Sequence, residues 1–327
     1  MRVLVTGGAG YIGSQSARAL ARRGHDVVIY DNLSTGHREL AKGFELVVGH
    51  VGDASTLARA LRGADAVMHF AAHSLVSVEH PRKYFESNVL DGLVLLNACM
   101  EVGVQQFIFS STASVYGDPT KVPIIEDAPK EPTNPYGMSK LAFEYAMRSY
   151  GAAYGLRFMS LRYFNAAGCS DSGEIGELHN PETHLIPAAL QSATGARAEL
   201  QIFGDDYDTP DGTCVRDYIH VEDLAEAHVL ALEYLARGGE SGILNLGTGK
   251  GHTVKEVVTT IERVIGRELK KRIAIRRPGD PPVLLADPSR AEKLLGWKAT
   301  RSLEDMVSSA WKFHQLHSQR ASAVSER

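Results

Sequence analysis

Tyr136 and Lys140 stand four residues apart in Asn134-Pro135-Tyr136-Gly137-Met138-Ser139-Lys140. Asn134 can cap a helix there and Pro135 suits its first position, so the spacing puts a phenol and an ammonium on one helix face. Isolated, such a pair is an ordinary surface pair. As chemistry, it is a tyrosine poised to act as a base near neutrality. That requires its pKa to fall about three units from 10, or about 4 kcal/mol of preference for the phenolate. A neighbouring ammonium and a second positive charge can supply it together. Thr112, in Phe109-Ser110-Ser111-Thr112-Ala113-Ser114, follows an apolar run, where its hydroxyl can bridge Tyr136 and a substrate oxygen. The bland alternative is a plain loop threonine.

Val3-Leu4-Val5-Thr6 leads into Gly7-Gly8-Ala9-Gly10-Tyr11-Ile12-Gly13, in which Gly8, Gly10 and Gly13 satisfy G-x-G-x-x-G. Glycines there permit a tight turn and let backbone N–H groups approach a pyrophosphate, with the next helix adding its dipole. Alone the motif is only a strand–helix turn. A second apolar run ends in Asp31, at the spacing of a carboxylate that grips adenosine ribose hydroxyls. Asp31 would repel a 2′-phosphate, so NAD is expected over NADP. Its oxidised nicotinamide ring would then be the second positive charge near Tyr136.

These residues need a frame. Arg2–Thr6, Asp26–Tyr30, Phe44–Val48, Ala66–Phe70, Gln106–Ser110 and Arg157–Leu161 read as buried strands, with helical stretches such as Gly13–Arg23 and Leu93–Val102 between them. The alternation predicts an α/β fold with a doubly wound, Rossmann-like parallel sheet whose ligands sit at the strands' carboxyl ends. After residue 168 the rhythm changes. Gly168–Asn180 and the aspartate-dense Gly204–Thr213 read as long functional loops. Helices over Val221–Ala236, Thr253–Ile265 and Leu303–His317, with strands Leu200–Phe203 and Ile243–Leu246, suggest a smaller C-terminal α/β lobe. The expected division is a dinucleotide-binding domain over 1–168, with some later segments returning to it, and a substrate lobe over 169–317. Residues 318–327 are expected to fray.

Composition narrows the class. Among 327 residues, 44% are hydrophobic and 23% charged, ordinary globular values that argue against disorder. The net charge of −4 offers no basic footprint for nucleic acid. Three cysteines, Cys99, Cys169 and Cys214, form no CxxC pair and suggest a reducing compartment. No run is long and apolar enough for a membrane span and no signal-peptide layout is present, so a cytoplasmic protein is expected. The 13 histidines look scattered. His69 and His73 have the outer spacing of a zinc helix motif but sit at a strand end, where i and i+4 do not converge. No catalytic metal is expected.

With these residues in hand, the chain resembles the extended short-chain dehydrogenase/reductase family, and within it the epimerases that act on nucleotide sugars. The likeness runs from Met1 to about His314. The glycine loop reads as the family's GxxGxxG (Gly7, Gly10, Gly13), and Asp31-Asn32-Leu33 as its NAD ribose signature. The resemblance implies cofactor contacts from Tyr11, Ile12, Asn32, His50 and Val51, from Phe70, Ala71, Ala72 and Asn88, and from Tyr163. It also implies Thr112, Tyr136 and Lys140 as catalytic residues. Arg162-Tyr163-Phe164-Asn165 is similar to the stretch that places an asparagine on the sugar-nucleotide diphosphate, and Val215 to His220 and Arg276 to Asp280 match two further segments. By that likeness Arg216 and Arg277 neutralise a UDP diphosphate, Asp280 holds a ribose hydroxyl, and Phe164, Asn165, His184, Leu185 and Leu284 also face the substrate. Arginine's planar fork suits phosphate oxygens on chemical grounds as well. The implied reaction is C4 epimerisation of a UDP-hexose (UDP-glucose and UDP-galactose) through a transient 4-keto sugar, with a homodimer pairing through Leu93–Val102 and Lys140–Tyr150.

Three departures stand out. Gly49-His50 replaces the family's usual Gly-Asp beside the adenine, with Asp53 a conceivable substitute. Ser74 stands where some relatives carry a lysine. Leu284 replaces a bulky tyrosine, which suggests a roomier pocket able to admit UDP-N-acetylglucosamine. A dehydratase would need an acid–base pair, commonly Asp-Glu directly after the threonine, where Ala113 and Ser114 stand. A simple alcohol dehydrogenase leaves Arg216, Arg277 and the Gly204–Thr213 loop unexplained. A non-catalytic dinucleotide-binding regulator has no need of Thr112, Tyr136 and Lys140 together.

Overall fold

A computed structural model describes residues 1–74, 80–179, 181–277 and 279–325. The chain starts with β1 (Arg2–Thr6), α1 (Tyr11–Arg22), β2 (Asp26–Asp31), β3 (Glu45–Val48), α2 (Ala54–Ala60) and β4 (Ala66–His69). It continues through α3 (Pro81–Phe85), α4 (Asp91–Val102), β5 (Gln106–Thr112), α5 (Pro135–Tyr154) and β6 (Arg157–Tyr163). The strands form one parallel sheet in the order β10-β6-β5-β4-β1-β2-β3, where β10 (Gly242–Leu246) returns from the second half of the chain.

Alternation along the strands explains why both faces are covered. Val3 and Val5 share one buried cluster with Leu20 of α1 and with Leu224 and Leu232 of α7 (Val221–Ala236). Leu4 between them joins the opposite cluster with Leu95 and Leu96 of α4 and Phe143 and Met147 of α5. Each such side chain, fully buried, contributes about 1.5–3 kcal/mol. Strand order reverses at β1, so the loops after β1 and β4 splay apart and leave the crevice of a doubly wound sheet.

The other lobe contains β7 (Asn165–Ala167), α6 (Leu185–Thr194), β8 (Leu200–Phe203), β9 (Val215–His220), β11 (Gly251–Thr253) and α8 (Val254–Ile265). It is completed by β12 (Lys271–Ala274), β13 (Val283–Leu284), α9 (Ser289–Leu295) and α10 (Leu303–Ser325). Strands β7, β11 and β13 all pair with β9, and β8 pairs with β12. A third cluster of Ile186, Leu190, Ile202, Val257, Ile261 and Val307 fills this lobe. Helix α10 runs past the His317 end read from the sequence, to Ser325. Glu326 and Arg327 of the expected tail, Asn180 of the Gly168–Asn180 loop and Pro278 lie outside the described residues.

Candidate active site

Helix α5 starts as the sequence implies. Asn134 Oδ1 accepts from the Gly137 N–H at 2.9 Å, and Pro135 opens the first turn. The next turns bring Tyr136 and Lys140 onto one face, with the ammonium 5.8 Å from the phenol ring centre. Lys140 Nζ donates to the Ser110 carbonyl at 2.9 Å and lies 4.8 Å from the Phe109 ring centre. Thr112, at the carboxyl end of β5, accepts from the Ser114 N–H at 3.1 Å and lines the same cavity as Tyr136. The three groups thus meet where two elements converge.

Electrostatics here oppose the chemistry they would serve. Burial raises the Tyr136 phenol to about 12, with the Thr112 side chain acting against it. Burial lowers Lys140 to about 7, with Glu144 acting against it. The chain alone therefore favours a neutral phenol and weakens the ammonium. A cation bound against Tyr136 is needed to reverse the first effect. Glu144 is buried one turn beyond Lys140 and accepts from Ser111 at 2.6 Å and Ser160 at 2.8 Å. It also forms a 2.5 Å ion pair with Arg162, both side chains 1% exposed. Arg162, part of a substrate-like motif in sequence, is thus a core residue that clamps α5 to β6.

The glycine loop is built for close approach. A Cβ at Gly13 would meet the Gly7 carbonyl at 2.3 Å, and one at Gly7, whose φ is +70°, would meet Ala71 N at 2.5 Å. Asp31 accepts from Ala9 N at 2.9 Å and Leu33 N at 2.8 Å, which fixes its carboxylate at the end of β2. Gly7, Gly10, Tyr11, Ile12, Gly13, Asp31, Asn32, His50, Val51, Phe70, Ala71 and Ala72 all line one cavity of about 1510 Å³, and Thr112, Tyr136, Lys140 and Tyr163 line it further along. Its far end is lined by Phe164, Asn165, His184, Leu185, Arg216, Arg277, Asp280 and Leu284. Such a volume exceeds the roughly 300–1,000 Å³ of a single drug-sized pocket. A backbone cradle and a fixed carboxylate, both opening on this space, fit a dinucleotide.

Two residues fall elsewhere. Asn88, expected at the cofactor, is not among the cavity's lining. It is buried, accepts from His73 N at 2.7 Å and donates to Ser139 Oγ at 3.0 Å, and so ties the turn after β4 to α5. Asp53, the conceivable stand-in for the adenine aspartate, caps α2 by accepting from Ser55 N and Thr56 N, and the cavity lining does not include it. His50 does line the cavity; its Nδ1 accepts from Gly52 N at 3.1 Å and its Nε2 is 3.7 Å from Asp91 Oδ2.

At the far end, Arg216 pairs with Asp280 across a stretch of 64 residues, and the Arg277 guanidinium lies 4.0 Å over the Phe203 ring. Sequence reasoning missed one constellation here. The histidines are not all scattered: His179 and His184 come together with Glu177 and Glu182, one potential ligand atom from each lying within 4.8 Å of the others. The E-x-H-x-x-E-x-H spacing in Glu177–His184 was the signal available. His69, by contrast, is buried and bonded to Thr6 Oγ1 at 2.7 Å.

Residues 3–247 match the model of the NAD dependent epimerase/dehydratase family. A UDP-glucose 4-epimerase of Azospirillum brasilense is 51% identical over 315 residues, 94% of this chain and 90% of the relative. The crystal structure of UDP-glucose 4-epimerase from Brucella ovis in complex with NAD is 47% identical and superposes with a TM-score of 0.93, covering 96% of this chain and 98% of that one. The UDP-Glc/GlcNAc 4-epimerase of Campylobacter jejuni is 40% identical with a TM-score of 0.84, over 96% of this chain and 99% of that one. The chain belongs to the NAD dependent epimerase/dehydratase family, in the branch of the UDP-glucose 4-epimerases.

Proposed function

We propose that the chain interconverts UDP-glucose and UDP-galactose by NAD-dependent epimerisation at C4, through a 4-keto sugar. The observation that carries this is the single cavity. It joins a dinucleotide cradle (Gly7–Gly13, Asp31) to a Thr112–Tyr136–Lys140 centre and then to an arginine-bearing end. NAD, when bound, supplies the hydride acceptor and donor at C4 and, oxidised, a positive ring near Tyr136.

The chain's residues do the rest. Asp31 holds the adenosine ribose, and the backbone of Gly10–Gly13 takes the pyrophosphate. Tyr136 removes the O4 proton and later returns it, with Thr112 relaying between the phenol and the sugar oxygen. Lys140 steadies the phenolate and a cofactor ribose hydroxyl. Arg216, Arg277 and Asn165 anchor the diphosphate, Asp280 the uridine ribose, while few polar groups grip the hexose. A firmly held UDP and a loosely held sugar allow the keto intermediate to turn over and present its other face. In domain terms, 1–168 with returning segments carries the cofactor and 169–317 the UDP-sugar.

The test is to denature the purified protein, identify the released dinucleotide, and assay both sugars for interconversion. Stoichiometric NAD with turnover in both directions is expected. Protein that runs only on added NAD and accumulates NADH overturns the reading. A second reading, N-acetylated substrates, is favoured by Leu284, a medium-sized side chain on the cavity wall. Exposed Leu90, Val102, Tyr145 and Tyr154 on and beside α4 and α5 form the face for a homodimer, and sedimentation at micromolar concentration tests it. Among the described residues, no helix is long and apolar enough to cross a membrane; a cytoplasmic setting is the reading that goes with three free cysteines.

A further inference from the structure

Glu177, His179 and Glu182 have no part in the scheme above. The Glu177 and Glu182 side chains are only 8% and 2% exposed, and the ion pairs recorded for them are to the imidazoles of His179 and His184. Two buried carboxylates without positive charge would be costly, several kcal/mol each. A metal ion is one source of charge and protons on the imidazoles are another. The contacts favour protons. Glu182 Oε1 already accepts the N–H groups of Thr183 and His184, both at 2.8 Å. Glu177 Oε1 is hydrogen-bonded to His184 Nδ1 and lies 3.3 Å from His179 Nδ1, two rings converging on one oxygen.

His184 is the member of the group that touches the substrate cavity in the most useful place. It is the residue that precedes α6, whose first turn (Leu185, Ile186, Pro187) lines the same cavity. With Nδ1 given to Glu177, Nε2 remains as a donor. Arg216 shares its charge with Asp280, so an imidazolium at His184 adds to what Arg277 offers the diphosphate on the same cavity wall.

We propose that Glu177, backed by His179 and Glu182, is a positioning residue that keeps His184 an imidazolium, and that His184 binds the diphosphate of the nucleotide sugar. The inference rests on the reading of the far end as a UDP-sugar site. Attraction to Glu177 leads in raising His184, with burial and the charge of His179 opposing. Burial opposes charge on His179, but Glu177 and Glu182 outweigh it, so that ring is raised too. Burial likewise works against ionised Glu177, and the two rings outweigh it. The other titratable groups on this wall are Arg197, which donates to the Glu182 carbonyl at 2.6 Å, and His314 and His317 of α10.

The sign follows. A raised His184 is charged at neutral pH and loses its proton as pH climbs through its raised pKa, so affinity for the substrate falls in that window. The experiment uses the cofactor-loaded full chain, with UDP-glucose affinity by calorimetry across pH 6–9 and the histidine resonances followed by NMR. His184 should titrate above the ordinary 6.5. UDP-glucose binding should weaken about tenfold across that titration, the worth of one ionic hydrogen bond. Glu177→Gln should move both the resonance and the binding transition to lower pH, and His184→Gln should give weak, pH-independent binding. Wild-type His184 titrating at or below its ordinary value, or binding that ignores pH, overturns the proposal; the wild-type titration decides even if the variants misfold. Stoichiometric Zn²⁺ uptake that shifts the His179 and His184 resonances overturns it in favour of a metal site. Failure of UDP-glucose to bind at any pH overturns instead the UDP-sugar reading.

Discussion

The two ends of the cavity are built by different means. At the dinucleotide end the groups that matter are backbone N–H groups and one carboxylate, set by adjoining strands and a short loop; Ala9 and Asp31 are 22 residues apart. At the UDP end they are long charged side chains from distant parts of the sequence, Arg216 on β9 and Arg277 and Asp280 on the segment between β12 and β13. Arg216 meets Asp280 across 64 residues, and Arg277 rests on Phe203. The first end is set by the backbone of a seven-stranded parallel sheet. The second depends on side chains and their pairings with one another. On the proposed function, the first end keeps its coenzyme through many turnovers and the second releases a product in each.

Substitutions can break that contrast. Tyr136→Phe removes the proton acceptor at the junction and should cut turnover about 10²–10⁴-fold while bound NAD is retained, as cofactor release and single-turnover assays will read. Glu144→Gln leaves Arg162 buried without its ion-pair partner and should destabilise the fold by about 3–5 kcal/mol, measured by denaturant unfolding. It tests whether this clamp between α5 and β6 holds the sheet beside the Tyr136 junction; an unchanged midpoint would remove the clamp from the account. Arg277→Ala should raise KM for UDP-galactose by about 10–100-fold with a smaller change in kcat, since it loses one or more ionic hydrogen bonds. A kcat loss equal to the loss in kcat/KM would mean that Arg277 acts only in the transition state. Smallest of all, Leu284→Tyr should leave UDP-glucose turnover within a few-fold and suppress any turnover of UDP-N-acetylglucosamine, a discrimination worth about 1–3 kcal/mol. Wild-type protein that turns over UDP-glucose but not the acetylated sugar removes the roomier-pocket idea.

The contrast also governs what could be read from the chain alone. Six strands of the large sheet were legible because each is a short apolar run bounded by turn residues, and the Tyr136–Lys140 pair because Asn134 and Pro135 announce the helix that aligns it. Several helix ends shifted by a residue or two, as at Tyr11, where loop and helix merge, whereas α10 continues well past His317 to Ser325. Asp53, a conceivable stand-in beside the adenine, has a second role that the spacing to Ser55 and Thr56 also allows: it caps α2 through local hydrogen bonds. Asn88 was placed at the cofactor, but its amide is consumed by His73 and Ser139. The core role of Arg162 was not legible because nothing local reveals that Glu144, 18 residues earlier, is its partner. The Glu177–His184 group escaped notice because its loop has neither helical nor strand periodicity, and only the fold of that loop brings the four side chains together.

The return of β10 has a consequence for how this polypeptide can be cut or inherited. Strand β6 is flanked on one side by β10, which is made some 80 residues downstream of it. A fragment ending after Gly168 would leave the open rim of Arg157–Tyr163 with its ladder groups unmet, and such a rim recruits whatever extended chain is nearest. The fragment would therefore clump or swap strands with its siblings. Separate expression of the two pieces should succeed only when both are made together, each completing the other during folding.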